Sequence, residues 1–167
     1  MEIEYYEATK EDAKAYIEYL KKIGSETNNL TFSSNELKVN ELEEMTFIDE
    51  IHQSKNSVMI LAKDNDKIIG NVNLTGNTRS KVKHRSNLGI SVLKEYWGQG
   101  IGSNLLAAAI GYALENEIEI IELEVLTTNK NAIALYEKFG FETIGIYPNY
   151  FKIDDQYVDA RLMNLYL

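Results

Sequence analysis

Three glycines at alternate positions, Gly98, Gly100 and Gly102, limit the fold of this chain more than any other feature. An apolar segment (residues 89–93) comes before them, and a helical pattern of apolar residues begins directly after them. Glycine allows backbone N–H groups to approach a ligand closely, and the first turn of a helix adds unpaired N–H donors and the positive end of a dipole. The stretch therefore predicts a strand, a turn and a helix whose N-terminus is suited to phosphate groups.

The spacing alone leaves a second interpretation open, because a tight strand-to-helix turn without a ligand would use the same glycines. Two known phosphate loops do not match. A Walker loop needs Lys and Ser/Thr after its last glycine, whereas Ser103 and Asn104 follow here. The dinucleotide fingerprint needs a glycine where this chain has Leu105.

The stretch resembles the coenzyme A loop of the GCN5-related N-acetyltransferase (GNAT) family, which reads Arg/Gln-x-x-Gly-x-Gly/Ala. Residues 97–102 match both glycines, with Trp97 in place of the Arg or Gln. Residues 129–141 are similar to the same family's Asn-x-x-Ala-x-x-Leu-Tyr-x-x-x-Gly-Phe segment. Two blocks in the right order are more specific than either block alone.

Composition excludes several classes of protein. The net charge of −9 argues against nonspecific nucleic-acid binding; it fits a cationic substrate, or simply an acidic surface that maintains solubility. The absence of cysteine excludes disulfides, a thiol nucleophile and a Cys-ligated metal, and two histidines argue against a zinc site, so we expect no metal. No apolar run approaches the length of a membrane span, and we expect a cytoplasmic protein.

The length of 167 residues predicts one domain, residues 1–167. Apolar periodicity predicts seven strands and four helices. The first helix is capped at Thr9 and ends at Gly24, a polar loop follows over 25–34, and the second helix runs from about Ser33 to His52. The predicted strands are 2–8, 57–62, 67–74, 82–93, 119–126, 141–151 and 156–167, and the two remaining helices follow Gly102 and Asn129.

This element order predicts an α/β fold of the mixed α+β kind. A strand, a crossover helix and a strand over residues 82–126 imply one parallel pair, and the last two strands form a hairpin at Asp154 and Asp155. The result is a mixed sheet of about seven strands with helices on both faces. It coincides with the GNAT-type acyl-CoA N-acyltransferase fold that the resemblance implies.

The resemblance implies acetyl-CoA as co-substrate. Backbone N–H groups of the loop would hold the pyrophosphate, pantetheine would run where the parallel strands separate, and a backbone N–H near Val92 would polarise the thioester carbonyl. Asn129 would contact the coenzyme arm, although it also fits a plain helix N-cap. The cofactor-binding residues are then Ile90, Val92, Trp97, Gly98, Gln99, Gly100, Ile101, Gly102, Ser103 and Asn129.

Tyr136 is the candidate general acid for the leaving thiolate, since a phenol pKa of about 10 is near that of a thiol. By spacing alone Tyr136 is a core tyrosine, and its place in the second block is what favours the catalytic role. Glu124 is the candidate general base. Glu26, in the predicted loop, is the second candidate base and could bind the acceptor ammonium. Either carboxylate could instead be solvated, or Glu124 could pair with a lysine.

These residues predict an N-acetyltransferase that acts by direct transfer, because there is no cysteine and no indicated Ser–His pair. The favoured acceptor is a small molecule with a primary amine, such as a polyamine, an amino acid or an aminoglycoside. The alternatives are a protein N-terminus of the ribosomal-protein type and a noncatalytic coenzyme A-binding module. A nucleotide-binding regulator is disfavoured by the missing Lys-Ser/Thr. Eleven tyrosines and the C-terminal hairpin make a homodimer conceivable.

Overall fold

A computed structural model describes residues 2–167. In chain order the strands and α-helices are β1 (Ile3–Glu7), α1 (Ala13–Glu26), α2 (Glu41–Gln53), β2 (Val58–Asp64), β3 (Lys67–Gly76), β4 (Arg85–Val92), α3 (Ile101–Glu115), β5 (Ile120–Leu126), α4 (Lys130–Lys138), β6 (Glu142–Ile153) and β7 (Gln156–Tyr166). Single 3₁₀ turns lie at Lys10–Asp12, Ser34–Glu36 and Lys94–Tyr96. No helix in residues 2–167 is both long and apolar enough to cross a membrane.

All seven strands form one mixed sheet in the order β1-β2-β3-β4-β5-β7-β6. Every neighbouring pair is antiparallel except β4 and β5, which are parallel and joined through α3. Strand β7 lies between β5 and β6, and it closes the predicted hairpin through Asp154 and Asp155, whose φ angles are 47° and 61°. The predicted fold class is confirmed.

Helices cover both faces of the sheet. The Tyr19 hydroxyl on α1 lies 2.8 Å from Ser91 Oγ on β4, which places α1 over the face that carries Ser91. The position of a Cβ at Gly70 would be 3.1 Å from Leu105 on α3, so α3 covers the opposite face. Helix α2 packs beside α1. Helix α4 lies beside α3, since a Cβ at Gly102 would be 3.5 Å from a methyl carbon of Leu135.

The first helix does not end at Gly24, as predicted, but continues to Glu26. A Cβ at position 24 would lie 2.9 Å from the backbone nitrogen of Ser34. Gly24 therefore permits close approach of the α1–α2 connection, and it takes no left-handed cap conformation.

The second helix begins later than predicted. The Ser33–Glu36 capping box is present, but it starts only a 3₁₀ turn, after which Leu37 is extended. Asn40 is the true N-cap, and its side chain accepts a hydrogen bond of 2.9 Å from the Glu43 N–H. The inward face of α2 carries Glu44, Ile48 and Ile51, whereas Leu42 is 72% exposed.

A smaller difference concerns β4. Residues 82–84 form a turn, with the Arg85 N–H donating to the Val82 carbonyl, so β4 is shorter than the predicted strand. In α4 the buried side chains are Ile133 and Tyr136.

Candidate active site

The parallel strands β4 and β5 separate soon after they meet. They pair only at Arg85–Ile120, Ser86–Ile121 and Asn87–Glu122. Beyond Asn87, β4 remains paired with β3 and β5 remains paired with β7. The facing edges, residues 88–92 and 123–126, therefore diverge into a V-shaped gap, which we call the β4–β5 opening. It includes Val92, near which the family resemblance implies that the parallel strands separate.

Backbone groups of Ile90 and Val92 face this opening. The Leu93 N–H donates to the Ile69 carbonyl of β3 at 2.9 Å. Backbone groups alternate sides along a strand, so those of Val92 and Ile90 point away from β3. The Val92 carbonyl accepts a hydrogen bond of 2.7 Å from the indole Nε1–H of Trp97. The opening is thus lined by main-chain groups that a linear ligand can pair with.

The glycine loop stands at the end of the opening. Gly98 and Gly100 have φ angles of 74° and 81°, a left-handed conformation that favours glycine. Helix α3 starts immediately afterwards, and the Asn104 N–H makes its first intrahelical bond to the Gly100 carbonyl. The N–H groups of the first turn, residues 101–103, lack intrahelical acceptors, so this end of α3 can bind an anion.

An ionic cluster fixes the segment that leads into the loop. The Glu95 carboxylate lies 2.7 Å from the Lys22 ammonium and 2.5 Å from the Lys67 ammonium. Hydrogen bonds from Lys22 and Lys67 lower the pKa of Glu95 to about 2. The Tyr96 hydroxyl donates to Asp64 at 3.0 Å. Sequence reasoning missed this cluster because Lys22 and Lys67 are 73 and 28 residues from Glu95 and no motif links them.

Glu26 lies on the last turn of α1, and its predicted position in a loop is wrong. Its Oε2 accepts a hydrogen bond of 2.8 Å from the Lys94 N–H, and its Oε1 lies 3.9 Å from the Lys22 ammonium. The carboxylate is therefore engaged in holding the segment that precedes the glycine loop.

Tyr136 lies on α4 with 6% of its surface exposed. Its ring packs against Phe141, with the ring centroids 5.6 Å apart. Burial raises the pKa of the Tyr136 phenol well above its usual value. The hydroxyl is therefore protonated throughout the physiological range and is available as a hydrogen-bond donor.

Asn129 is the N-cap of α4, and its Oδ1 accepts a hydrogen bond of 3.3 Å from the Ala132 N–H.

We expect Asn129→Ala to lower the free energy of unfolding by about 1 kcal/mol in urea denaturation, the usual loss for a removed cap. Asn129→Asp keeps a capping oxygen and should retain that stability. If Asn129→Asp also leaves the KM for acetyl-CoA unchanged, a contact with the anionic coenzyme arm is contradicted, because a new negative charge there would weaken binding.

Beside the opening, the face of β4 under α1 leaves open space above Gly89. Gly89 is exposed, and no atom lies within 4 Å of the position that a Cβ would take there. Asn73 pairs with Gly89 across the β3–β4 ladder, and strand alternation places Asn87 and Ser91 on the same face. We call this the acceptor hollow; it comprises Gly89, Asn73, Asn87, Ser91 and Glu124.

Glu124 closes the β5 side of the acceptor hollow. The Asn87 amide on β4 donates to Glu124 Oε2 at 3.2 Å, across the mouth of the opening. Glu124 forms no ion pair with a lysine or arginine in residues 2–167. Burial, and next the charge of Glu124, raise the pKa of Tyr150 on β6, so an aromatic side chain lies close to this carboxylate.

Comparison with known proteins agrees with this geometry. A family model described as "Acetyltransferase (GNAT) family" matches residues 14–141. A solved GNAT-family acetyltransferase from Streptococcus pneumoniae superposes with a TM-score of 0.97 and 32% identity, covering 99% of this chain and 100% of that one.

Two curated relatives match over part of the chain. A putative [ribosomal protein bS18]-alanine N-acetyltransferase of Bacillus subtilis is 36% identical over 74 residues, 44% of this chain and 48% of the relative. The L-amino acid N-acetyltransferase AaaT of Escherichia coli is 31% identical over 98 residues, 58% of this chain and 60% of the relative. The matched segments thus span about half the length of these relatives. The family model and the full-length structural match together show that the chain belongs to the acetyltransferase (GNAT) family.

Proposed function

We propose that the chain transfers an acetyl group directly from acetyl-CoA to the primary amine of a small molecule, with residues 1–167 acting as one catalytic domain. The observation that carries the proposal is the β4–β5 opening, which runs into the glycine loop and the N-terminus of α3. A linear ligand with an anionic end would find main-chain partners along its length and an anion site at its end.

Acetyl-CoA would lie along this path. Its pyrophosphate would bind the backbone N–H groups of residues 98–103, including those of Gln99 and Ile101, and its pantetheine would pair with Ile90 and Val92. The Trp97 N–H is not available to it, because it donates to the Lys94 carbonyl at 3.2 Å. The Val92 N–H would polarise the thioester carbonyl, since it points into the opening. The Trp97 indole, bonded to the Val92 carbonyl, holds the start of the loop against β4. This contact supports a role for Trp97 although it replaces the Arg or Gln of the family's loop.

The acceptor amine would enter from the acceptor hollow. Glu124 takes one proton from the ammonium, the amine nitrogen forms a bond to the thioester carbon, and the carbon–sulfur bond breaks. The nitrogen loses its second proton, which passes to the departing sulfur, so that the products are a neutral amide and the thiol of coenzyme A. The Tyr136 hydroxyl donates a hydrogen bond to this sulfur as its charge develops. Because burial raises the pKa of Tyr136, its main contribution is a hydrogen bond to the developing thiolate.

The lining of the hollow favours a small acceptor. Its floor is a single glycine, Gly89, and the half-buried side chains of Asn73 and Ser91 flank it. A small substrate also fits the L-amino acid acceptor in the name of the Escherichia coli relative. A protein N-terminus is the second candidate. The exposed rings of Tyr147 and Tyr150, 5.1 Å apart beside Glu124, offer a surface that a peptide could lie on.

We expect Gly89→Leu to raise the KM for the amine about tenfold or more while the affinity for acetyl-CoA stays unchanged. The new side chain would fill the acceptor hollow without a clash in the fold. The assay is release of free coenzyme A thiol, for which this chain is well suited because it has no cysteine of its own. The matched control is Gly111→Leu on α3, where the Cβ position is also open and no acceptor is expected.

The same assay with amino acids, polyamines, aminoglycosides and N-terminal peptides tests the proposed acceptor class. Turnover with small amines and none with peptides supports the proposal. Turnover with peptides alone would replace it with the second candidate. A KM for amines that is equal in Gly89→Leu and the unaltered protein would contradict the position of the acceptor.

A further inference from the structure

Trp97 is the only tryptophan of the chain, and its side chain occupies a main-chain group that the proposed cofactor path uses. The indole Nε1–H donates to the Val92 carbonyl at 2.7 Å. That carbonyl points into the β4–β5 opening, because the Leu93 N–H bonds to β3 and the backbone groups of Val92 face the other way. The indole therefore fills a hydrogen-bonding position that a ligand in the opening would need.

The conflict involves the whole ring and not only its N–H. Trp97 immediately precedes Gly98, and its side chain reaches from the start of the glycine loop back to Val92. A ligand that binds both the N–H groups of residues 98–103 and the backbone of Val92 must pass this ring. The Val92 oxygen has a second lone pair, but the bicyclic indole stands in front of the oxygen and limits access to it.

The indole can leave this place at little cost. Trp97 is 47% exposed, so about half of its surface already faces solvent. Apart from its neighbours in the chain, no atom lies within 4 Å of the position that a Cβ would take at Gly98, which leaves open space beside the ring. The bond to be broken is a neutral one, of the kind that contributes modestly to stability.

The backbone on either side of Trp97 does not depend on the indole. Glu95 is held by the ionic cluster described above, and the Tyr96 hydroxyl donates to Asp64 at 3.0 Å. The Trp97 N–H donates to the Lys94 carbonyl. A rotation of the Trp97 side chain therefore needs no rearrangement of the segment that leads into the glycine loop.

We propose that the Trp97 indole occupies the place of the pantetheine arm in the free protein and turns out of the β4–β5 opening when acetyl-CoA binds. This inference rests on the proposed function. The Val92 carbonyl then accepts from an amide N–H of the arm in place of the indole N–H, so that it has a partner in both states. Because one hydrogen bond is exchanged for another, the unaltered protein binds acetyl-CoA less tightly than the same site without the indole N–H.

The first test is calorimetric titration of acetyl-CoA. Trp97→Phe keeps an aromatic ring and loses the competing N–H, so the Kd should fall about twofold to tenfold, the equivalent of one neutral hydrogen bond. Tyr96→Phe is the matched control. It removes the bond to Asp64 from the neighbouring residue and leaves the indole in place, so its Kd should not fall.

The indole N–H itself gives the second readout, since a single tryptophan yields one indole signal in a ¹⁵N NMR spectrum. Saturating acetyl-CoA should move this proton signal upfield, as expected when the N–H loses its carbonyl partner, and should speed its exchange with water. Adenosine 3′-phosphate 5′-diphosphate is coenzyme A without the pantetheine arm. It should shift the backbone signals of residues 98–103 and leave the indole signal unchanged.

Two results would overturn the inference while the proposed acetyl transfer stands. One is an indole signal that keeps its position although calorimetry shows acetyl-CoA to be bound. The other is a Kd for acetyl-CoA that is equal or higher in Trp97→Phe. If calorimetry shows that the unaltered protein does not bind acetyl-CoA, the displacement of Trp97 and the proposed function are both contradicted.

Discussion

Replacing Gly100 with valine is expected to raise the KM for acetyl-CoA about a hundredfold or more. At a φ of 81° a β-branched side chain is strained by at least about 1–2 kcal/mol, so the loop will leave this conformation. The backbone N–H groups then no longer converge on the pyrophosphate, and each charge-assisted hydrogen bond lost costs about 1.5–3 kcal/mol. The measurement is the dependence of thiol release on acetyl-CoA concentration, with calorimetric titration of acetyl-CoA as a second readout.

Gly111→Ala is the matched control for this substitution. Gly111 lies inside α3, and a Cβ there meets no atom within 4 Å. Alanine should therefore stabilise the fold by about 0.5–1 kcal/mol and leave the KM for acetyl-CoA unchanged. If Gly100→Val binds acetyl-CoA as tightly as Gly111→Ala does, the glycine loop is a structural turn and not the coenzyme site.

Tyr136→Phe is expected to lower kcat by about 10² to 10³, the usual loss when a hydrogen-bond donor to a developing anion is removed. The KM for acetyl-CoA and the melting temperature should change little, because the ring contact with Phe141 is kept. In the unaltered protein the raised pKa of Tyr136 keeps its hydroxyl protonated. Ionisation of Tyr136 should therefore cause no fall in kcat below about pH 10. Steady-state rates from pH 6 to pH 10 measure both effects.

Tyr112→Phe provides the comparison for Tyr136→Phe. The Tyr112 hydroxyl donates to the Ser57 carbonyl at 2.9 Å, far from the proposed chemistry in the fold. Its loss should lower the free energy of unfolding by about 0.5–1.5 kcal/mol without a change in kcat. Equal kcat values in the two variants would assign Tyr136 to the core.

The order of the elements and the strand pairing could be derived from the sequence because they depend on local patterns. Alternating apolar residues mark the strands, and the glycines mark the start of α3. The parallel pairing of β4 and β5 could be predicted because a helix lies between the two strands in the sequence. The early separation of these strands was implied by the family resemblance. The ends of the helices were harder to predict than the order of the elements. Both Ser33 and Asn40 begin capping boxes, and only packing decides which one starts α2.

The residues that shape the site away from the motifs could not be derived in this way. The Lys22–Glu95–Lys67 cluster and the Asn71–Ser91 bond join distant parts of the chain. Gly89 and Asn73 become neighbours in the acceptor hollow only because β3 pairs with β4. Glu44 is buried because α2 packs against α1 and β2, a contact between distant segments that no local pattern predicts.

Thermal unfolding with and without acetyl-CoA tests the central claim most directly, with ATP and NAD as controls. A ligand that binds only the folded protein at about a hundred times its Kd stabilises it by about 2.7 kcal/mol. The β4–β5 opening and the glycine loop predict a rise in melting temperature with acetyl-CoA that ATP and NAD do not reproduce. No rise at millimolar acetyl-CoA, or an equal rise with ATP, would contradict the assignment of this opening as the acetyl-CoA site.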